Sequence, residues 1–134
     1  MNLILCVDEN GGMLFNGRRV SRDKEIIKKI AELVGENKLY MSEYSAPLFE
    51  ASEIDVVVDN AYFEKAESGY FFVEKEDVAL FKSVKTITLF NFNRKYPSDK
   101  KFNRESISNA RLLKTEEIKG NSHEKITMEV FECE

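Results

Sequence analysis

The sequence holds no tryptophan, one histidine (His123), two prolines and two cysteines. Each scarcity excludes something. A lone histidine cannot build the histidine-rich dimetal site of metallo-β-lactamase-type ribonucleases, which needs several converging His and Asp ligands. Cys6 and Cys133 form no CxxC pair, so zinc-ribbon and thioredoxin-like readings fall away. A disulfide between them would need the first and last strands to be neighbours, and an oxidising compartment. Long apolar runs are missing too: none approaches the ~20 residues that cross a bilayer. The apolar stretch 3–7 is too short for a signal peptide and is followed by acid. Basic excess is also absent. With a net charge of −4 and a pI near 5.2, the chain lacks the global footprint of a nucleic-acid binder. The expectation is a cytoplasmic protein with neither a membrane nor a nucleic-acid partner.

What is present describes a globular chain. Its 134 residues are 43% hydrophobic and 33% charged, which suits one domain over residues 1–134 with a core of its own. Residues 3–7 (LILCV) are wholly apolar, as in a central strand buried on both faces. Residues 8–19 read as a loop, with Gly11, Gly12 and Gly17 opening backbone angles closed to other residues. Ser21 can cap a helix, with Asp23 and Glu25 in its first turn, where negative charge suits the dipole. Ile26, Ile30, Leu33 and Val34 recur at helical spacing; Lys24, Lys28, Lys29 and Glu32 lie off that stripe. Gly35 is a natural stop.

Further strands are expected at 38–41, 54–58, 70–73, 86–92, 110–113 and 124–132. Helical turns are expected at 43–50, 60–66 and 78–81, and a polar loop at 94–103. Strand, helix, then mostly strands favours an α/β protein whose mixed sheet is parallel early and antiparallel at the close.

Several residues are candidates for chemistry. Arg18, Arg19 and Arg22 lie beside the first loop, and Arg94 and Lys95 precede Tyr96 in NRKYPSD. If both segments meet at one end of the sheet, they make an anion pocket where α/β sheets bind ligands; otherwise they are solvated loop charge. His123 could serve as acid or base, or pair with Glu124; the plainer reading is a surface residue leading into the last strand. Phe71, Phe72, Phe81, Phe90 and Phe92 read as core rather than as stacking platforms.

The opening NLILCVDENGGMLFNGRRVSRDKEIIKKI resembles the start of dihydrofolate reductases: an apolar strand, a "VD…G" turn, a loop over the nicotinamide, and a helix bearing the substrate-binding carboxylate. RKYPSDKKF is similar to that family's "GDTxFP" loop, and NSHEKITMEVFEC to its closing strand. The match covers both ends of the chain, which is shorter than a typical reductase in its middle. The resemblance implies a loop contact at Asn16 and a catalytic carboxylate at Glu25, or at Asp23 if the loop gaps by two. A carboxylate there would fork two hydrogen bonds to a pterin ring and help its protonation. Otherwise Glu25 and Asp23 are dipole partners on a solvated helix face.

The departures matter as much. The family's tryptophan before the carboxylate falls on Val20, and its supporting threonine falls near Phe90. The phosphate-binding "GRxT" segment becomes MSEYSAPLF, with Ser42 for the glycine, Glu43 for the arginine and Ser45 for the threonine. Glu43 would repel a phosphate. The family's late Gly-Gly pair has no counterpart; the chain's pair is Gly11-Gly12.

The resemblance therefore implies a reduced dihydrofolate-reductase-like fold, a single mixed β-sheet flanked by helices. The departures speak against NADPH in its usual pose. The expected function is a member without NADPH-dependent reductase activity that binds a small anionic or nucleotide-like ligand through Asn16, Arg18, Arg19, Arg94 and His123. Two alternatives stay open: an active pteridine or dihydrofolate-type reductase with altered cofactor binding, and a structural or homodimerising protein.

Overall fold

The computed structural model describes residues 1–133. Its elements are β1 (Asn2–Val7), β2 (Gly12–Phe15), β3 (Arg18–Arg19), α1 (Lys24–Val34), β4 (Lys38–Met41), β5 (Asp55–Val58), β6 (Tyr70–Phe72), β7 (Thr86–Asn91), β8 (Lys100–Lys101), β9 (Arg111–Ile118) and β10 (Ile126–Glu132). Short 3-10 turns join several of them, at Ala46–Phe49, Tyr62–Glu64, Val78–Leu80 and Arg104–Ile107. No helix among the described residues is long and apolar enough to cross a membrane.

Seven strands form one sheet in the order β5-β4-β6-β1-β7-β10-β9. β1 runs parallel to both β6 and β7, and β4 is parallel to β5 and β6. β10 is antiparallel to β7 and β9. The parallel-then-antiparallel expectation follows from this register. β7 separates β1 from β10, and Cys6 and Cys133 are free thiols.

Alternation along β1 explains its apolar run. Leu3, Leu5 and Val7 enter one core with Phe71, Ile87 and Leu89; Ile4 enters the other with Ile26, Ile30, Phe72 and Phe90. α1 closes the second core through Ile26, Ile30 and Val34. The first core is roofed by aromatics from turns and loops, among them Tyr62, Phe81 and Phe102. Phe71 packs on Tyr40 at 5.1 Å and on Phe81 at 5.9 Å between centroids.

Four local expectations need correction. The stretch 8–19 is no plain loop: β2 and β3 form a hairpin, and β8, from the stretch read as the 94–103 loop, adds to it as a three-stranded sheet. Asp8 organises it. Its Oδ1 accepts from the backbone of Asn10 (2.8 Å) and Gly12 (2.7 Å), and its Oδ2 from that of Tyr96 (2.9 Å). Glycine is needed at position 12, where a Cβ would lie 2.7 Å from the Ser98 hydroxyl. The helix cap is Asp23, not Ser21: Asp23 is extended and its side chain accepts from Glu25 N. The strand at 110–113 runs on to Ile118, because pairing with β10 outweighs the weak strand preference of KTEE. His123 is buried rather than at the surface.

Candidate functional site

Asp23 and His123, 100 positions apart, meet at the N-terminus of α1. His123 Nδ1 lies 2.8 Å from Asp23 Oδ2, and the two side chains are 2% and 0% exposed. The turn before β10 wraps around the carboxylate. Asn121 N reaches both oxygens at 2.9 Å, Ser122 N donates to Oδ2 at 2.9 Å, and Glu25 N donates to Oδ1 at 2.9 Å. Gly120 permits the approach, since a Cβ there would stand 2.3 Å from His123 O and 2.8 Å from Asp23 Oδ2. Burial acts to raise the Asp23 carboxyl, but the hydrogen bonds from Asn121, His123, Glu25 and Ser122 prevail and lower it to about 2.

A carboxylate is acceptor only, so Nδ1 of the ring carries a proton, and in the tautomer with that single proton Nε2 is the acceptor. Two hydroxyls face it: Ser21 Oγ at 2.9 Å and Tyr96 OH at 3.1 Å. Phe92 stacks on the imidazole with centroids 4.8 Å apart and also packs on Tyr96. Beside Phe92 opens a depression of about 400 Å³ lined by Asn93, Arg94, Glu124 and Lys125.

A second polar cluster sits past the carboxyl ends of β4 and β6. Glu74 follows β6 and takes a bidentate pair from Arg19, Nε to Oε2 at 2.9 Å and Nη2 to Oε1 at 3.0 Å. Ser45 Oγ donates to Glu74 Oε1 at 2.7 Å. The Tyr44 ring lies under the Arg19 guanidinium at 4.5 Å, and its hydroxyl accepts from Arg19 N at 2.8 Å. Burial tends to lower the Arg19 guanidinium, yet its bonds to Glu74 raise it on balance. Burial, and then the charge of Glu74, push the Cys6 thiol far above its ordinary range, so it is no nucleophile.

Among the residues singled out from sequence, Asp23 and His123 come together; the ring pairs with Asp23 rather than with Glu124. The Glu25 side chain is not part of that cluster and pairs with Lys28 at 3.0 Å. Asn16 has a positive φ of 50° in the β2–β3 turn, where its backbone N–H donates to Asp99. Arg18 is exposed on β3, Arg19 is held by Glu74, and Arg94 is exposed beside the depression. Arg19 and Arg94 therefore have separate surroundings.

Glu74, Tyr44, Ser122 and the Tyr96 hydroxyl escaped the sequence reading. Glu74 had a signal: a carboxylate directly after the apolar strand YFFV falls at a strand's carboxyl end, where α/β sheets place ligands. The Ser122 contact, set by a turn, had none.

The MSEYSAPLF segment leaves β4 as a four-residue 3-10 turn rather than a long helix. Glu43 there is exposed, the Ser45 hydroxyl is bonded to Glu74, and the buried Ser42 hydroxyl has no partner. These residues do not fit a dinucleotide phosphate in the pose that the resemblance implies. Arg19 there is paired with Glu74, Lys75 Nζ lies 4.1 Å from the Tyr44 ring centroid, and two carboxylates stand by.

No family model matches the chain, and no curated protein matches it by sequence. Among solved structures it is similar to the dihydrofolate reductase from Enterococcus faecalis complexed with NADP(H) and RAB-propyl. The TM-score is 0.64 at 15% identity, over 98% of this chain and 94% of that one. The fold is dihydrofolate-reductase-like.

Proposed function

We propose that this protein does not carry out the NADPH-dependent reductase reaction of its structural relatives and instead binds a small anionic, nucleotide-like ligand. One observation carries the reading. Asp23, the buried carboxylate at the head of α1, spends its lone pairs on Glu25 N, Asn121 N, Ser122 N and the His123 ring. A carboxylate has about four acceptor sites, so none remains to fork onto a pterin. Glu25 belongs to a partly exposed ion pair. The cofactor side agrees, since Glu74 holds Arg19 where a phosphate would need the charge free.

The ligand reading rests on the depression beside Phe92, whose wall carries Arg94 and, beside Glu124, Lys125, which pairs with Glu117 at 3.2 Å. Calorimetric and thermal-shift titrations test both halves. NADPH, NADH, dihydrofolate and methotrexate should give no heat and no stabilisation. A nucleoside monophosphate should bind, and Arg94→Ala should weaken it about tenfold, the usual effect of losing one charged hydrogen bond. Saturable binding of NADPH or dihydrofolate would overturn the first half, and equal affinity in Arg94→Ala the second.

A second reading, a homodimer, is favoured by the edge strand β9. It is solvent-exposed over most of its length and leaves Leu112 and Leu113 49% and 46% exposed. A mass in solution that rises with concentration would support it.

A further inference from the structure

We propose that Ser21, His123 and Asp23 form an acyl-transfer site, with Ser21 as the nucleophile and a small ester as the substrate. Reductase chemistry has no use for this arrangement. A buried carboxylate fixes one ring nitrogen of His123 (2.8 Å), and the other nitrogen meets a serine hydroxyl at 2.9 Å. Nucleophile and orienting carboxylate come from one stretch of chain, Ser21 and Asp23, and the base from another, His123, and each is within hydrogen-bond reach of the next. Asp23 is a positioning residue. Its hydrogen bonds to Asn121 and Ser122 hold it still, and its contact with Nδ1 leaves Nε2 free to take a proton.

Tyr96 completes the chemistry. Neutral Nε2 has one lone pair but faces two hydroxyls, Ser21 at 2.9 Å and Tyr96 at 3.1 Å. When the Ser21 hydroxyl donates to it, the phenolic proton of Tyr96 is surplus within the cluster. It can then donate to a carbonyl oxygen as that oxygen becomes negative. Ser21 is only partly buried, so an acyl group can reach it.

The steps balance. Ser21 Oγ attacks the ester carbonyl while its proton passes to His123 Nε2. The acyl C–O bond breaks, and His123 returns that proton to the departing alkoxide, which leaves as an alcohol. Water, deprotonated by Nε2, then attacks the acyl-serine. The carboxylic acid departs and Ser21 regains its proton. Arg94, two positions before Tyr96 and on the depression that Phe92 lines, favours an ester bearing a negative charge; this preference rests on the anionic-ligand reading, whereas the acyl-transfer chemistry does not.

The test is treatment of the full chain with a fluorophosphonate probe, mapped by peptide mass, alongside hydrolysis of 4-nitrophenyl acetate. A single adduct on Ser21 is expected, with turnover above the uncatalysed rate that Ser21→Ala removes. Tyr96→Phe, which keeps the ring packing on Phe92, should lower kcat about tenfold or more with KM little changed. No adduct, an adduct elsewhere, or full hydrolysis by a folded Ser21→Ala would overturn the proposal. Ligand titrations of Ser21→Ala separate the two readings, since nucleotide binding should survive in it.

Discussion

Asp23 and Glu74 are both buried carboxylates that hold a partner from a distant stretch of chain, and they differ in what remains after the pairing. Glu74 meets a guanidinium that matches it in charge and shape, with Ser45 on one oxygen. That cluster is closed: a cation and an anion cancel at a position where an α/β sheet usually offers charge to a ligand. Asp23 meets a ring with a second nitrogen, and that nitrogen points to two hydroxyls; Phe92, stacked on the ring, lines a depression. One carboxylate ends a network and the other passes it on.

The sharpest way to break the contrast is to remove Asp23. Asp23→Ala deletes the helix cap and leaves the His123 ring and two backbone N–H groups without their acceptor. A loss of about 3–4 kcal/mol in denaturant melts is expected from a cap plus buried unpaired donors. A loss below about 1 kcal/mol would mean that water replaces the carboxylate. Glu74→Ala should cost somewhat less, about 2–3 kcal/mol, because Arg19 is one-fifth exposed and can recover part of its hydration. The double variant Arg19→Met, Glu74→Leu should regain most of that loss, since it removes both charges together. Failure to regain it would assign the cluster a role beyond balancing charge.

Acid should separate the carboxylates next. Asp23 sits at about 2 when folded, below its ordinary 3.8, so its contribution is complete above pH 4 and is lost as the pH falls through about 2. The linked stability is about 2 kcal/mol, and Asp23→Asn should remove that part of the pH slope. An unchanged slope in Asp23→Asn would contradict the hydrogen-bonded carboxylate. The smallest effect is expected at Glu25. Glu25→Gln breaks only the surface pair with Lys28, at about 0.3 kcal/mol in a thermal melt, and a larger loss would place Glu25 in the site.

Periodicity carried the framework of the fold. The apolar run of β1, the stripe of α1 and the alternation in β10 follow from burial on two faces, one face and one face respectively. The hairpin of β2 and β3 was hidden because strands of four and two residues are too short to show a period, and the glycines at 11, 12 and 17 read as loop. The site was legible in part. Asp23 and His123 each stood out for their chemistry, but a contact across 100 positions depends on how the turn at Gly120 folds back, which no local pattern encodes. Ser21 drew notice as a cap, a role that Asp23 takes, which frees the serine for the ring. Glu74 was overlooked because a charge among EKED reads as solvated loop until its strand is placed beside β4.

Dihydrofolate-dependent oxidation of NADPH, followed by absorbance with the purified protein, bears most directly on the central claim. The account predicts no oxidation above the blank, because Asp23 is committed to His123 and its turn, and Arg19 to Glu74. Turnover that requires both compounds and disappears in Asp23→Asn or Glu25→Gln would contradict it and return the site to reductase chemistry.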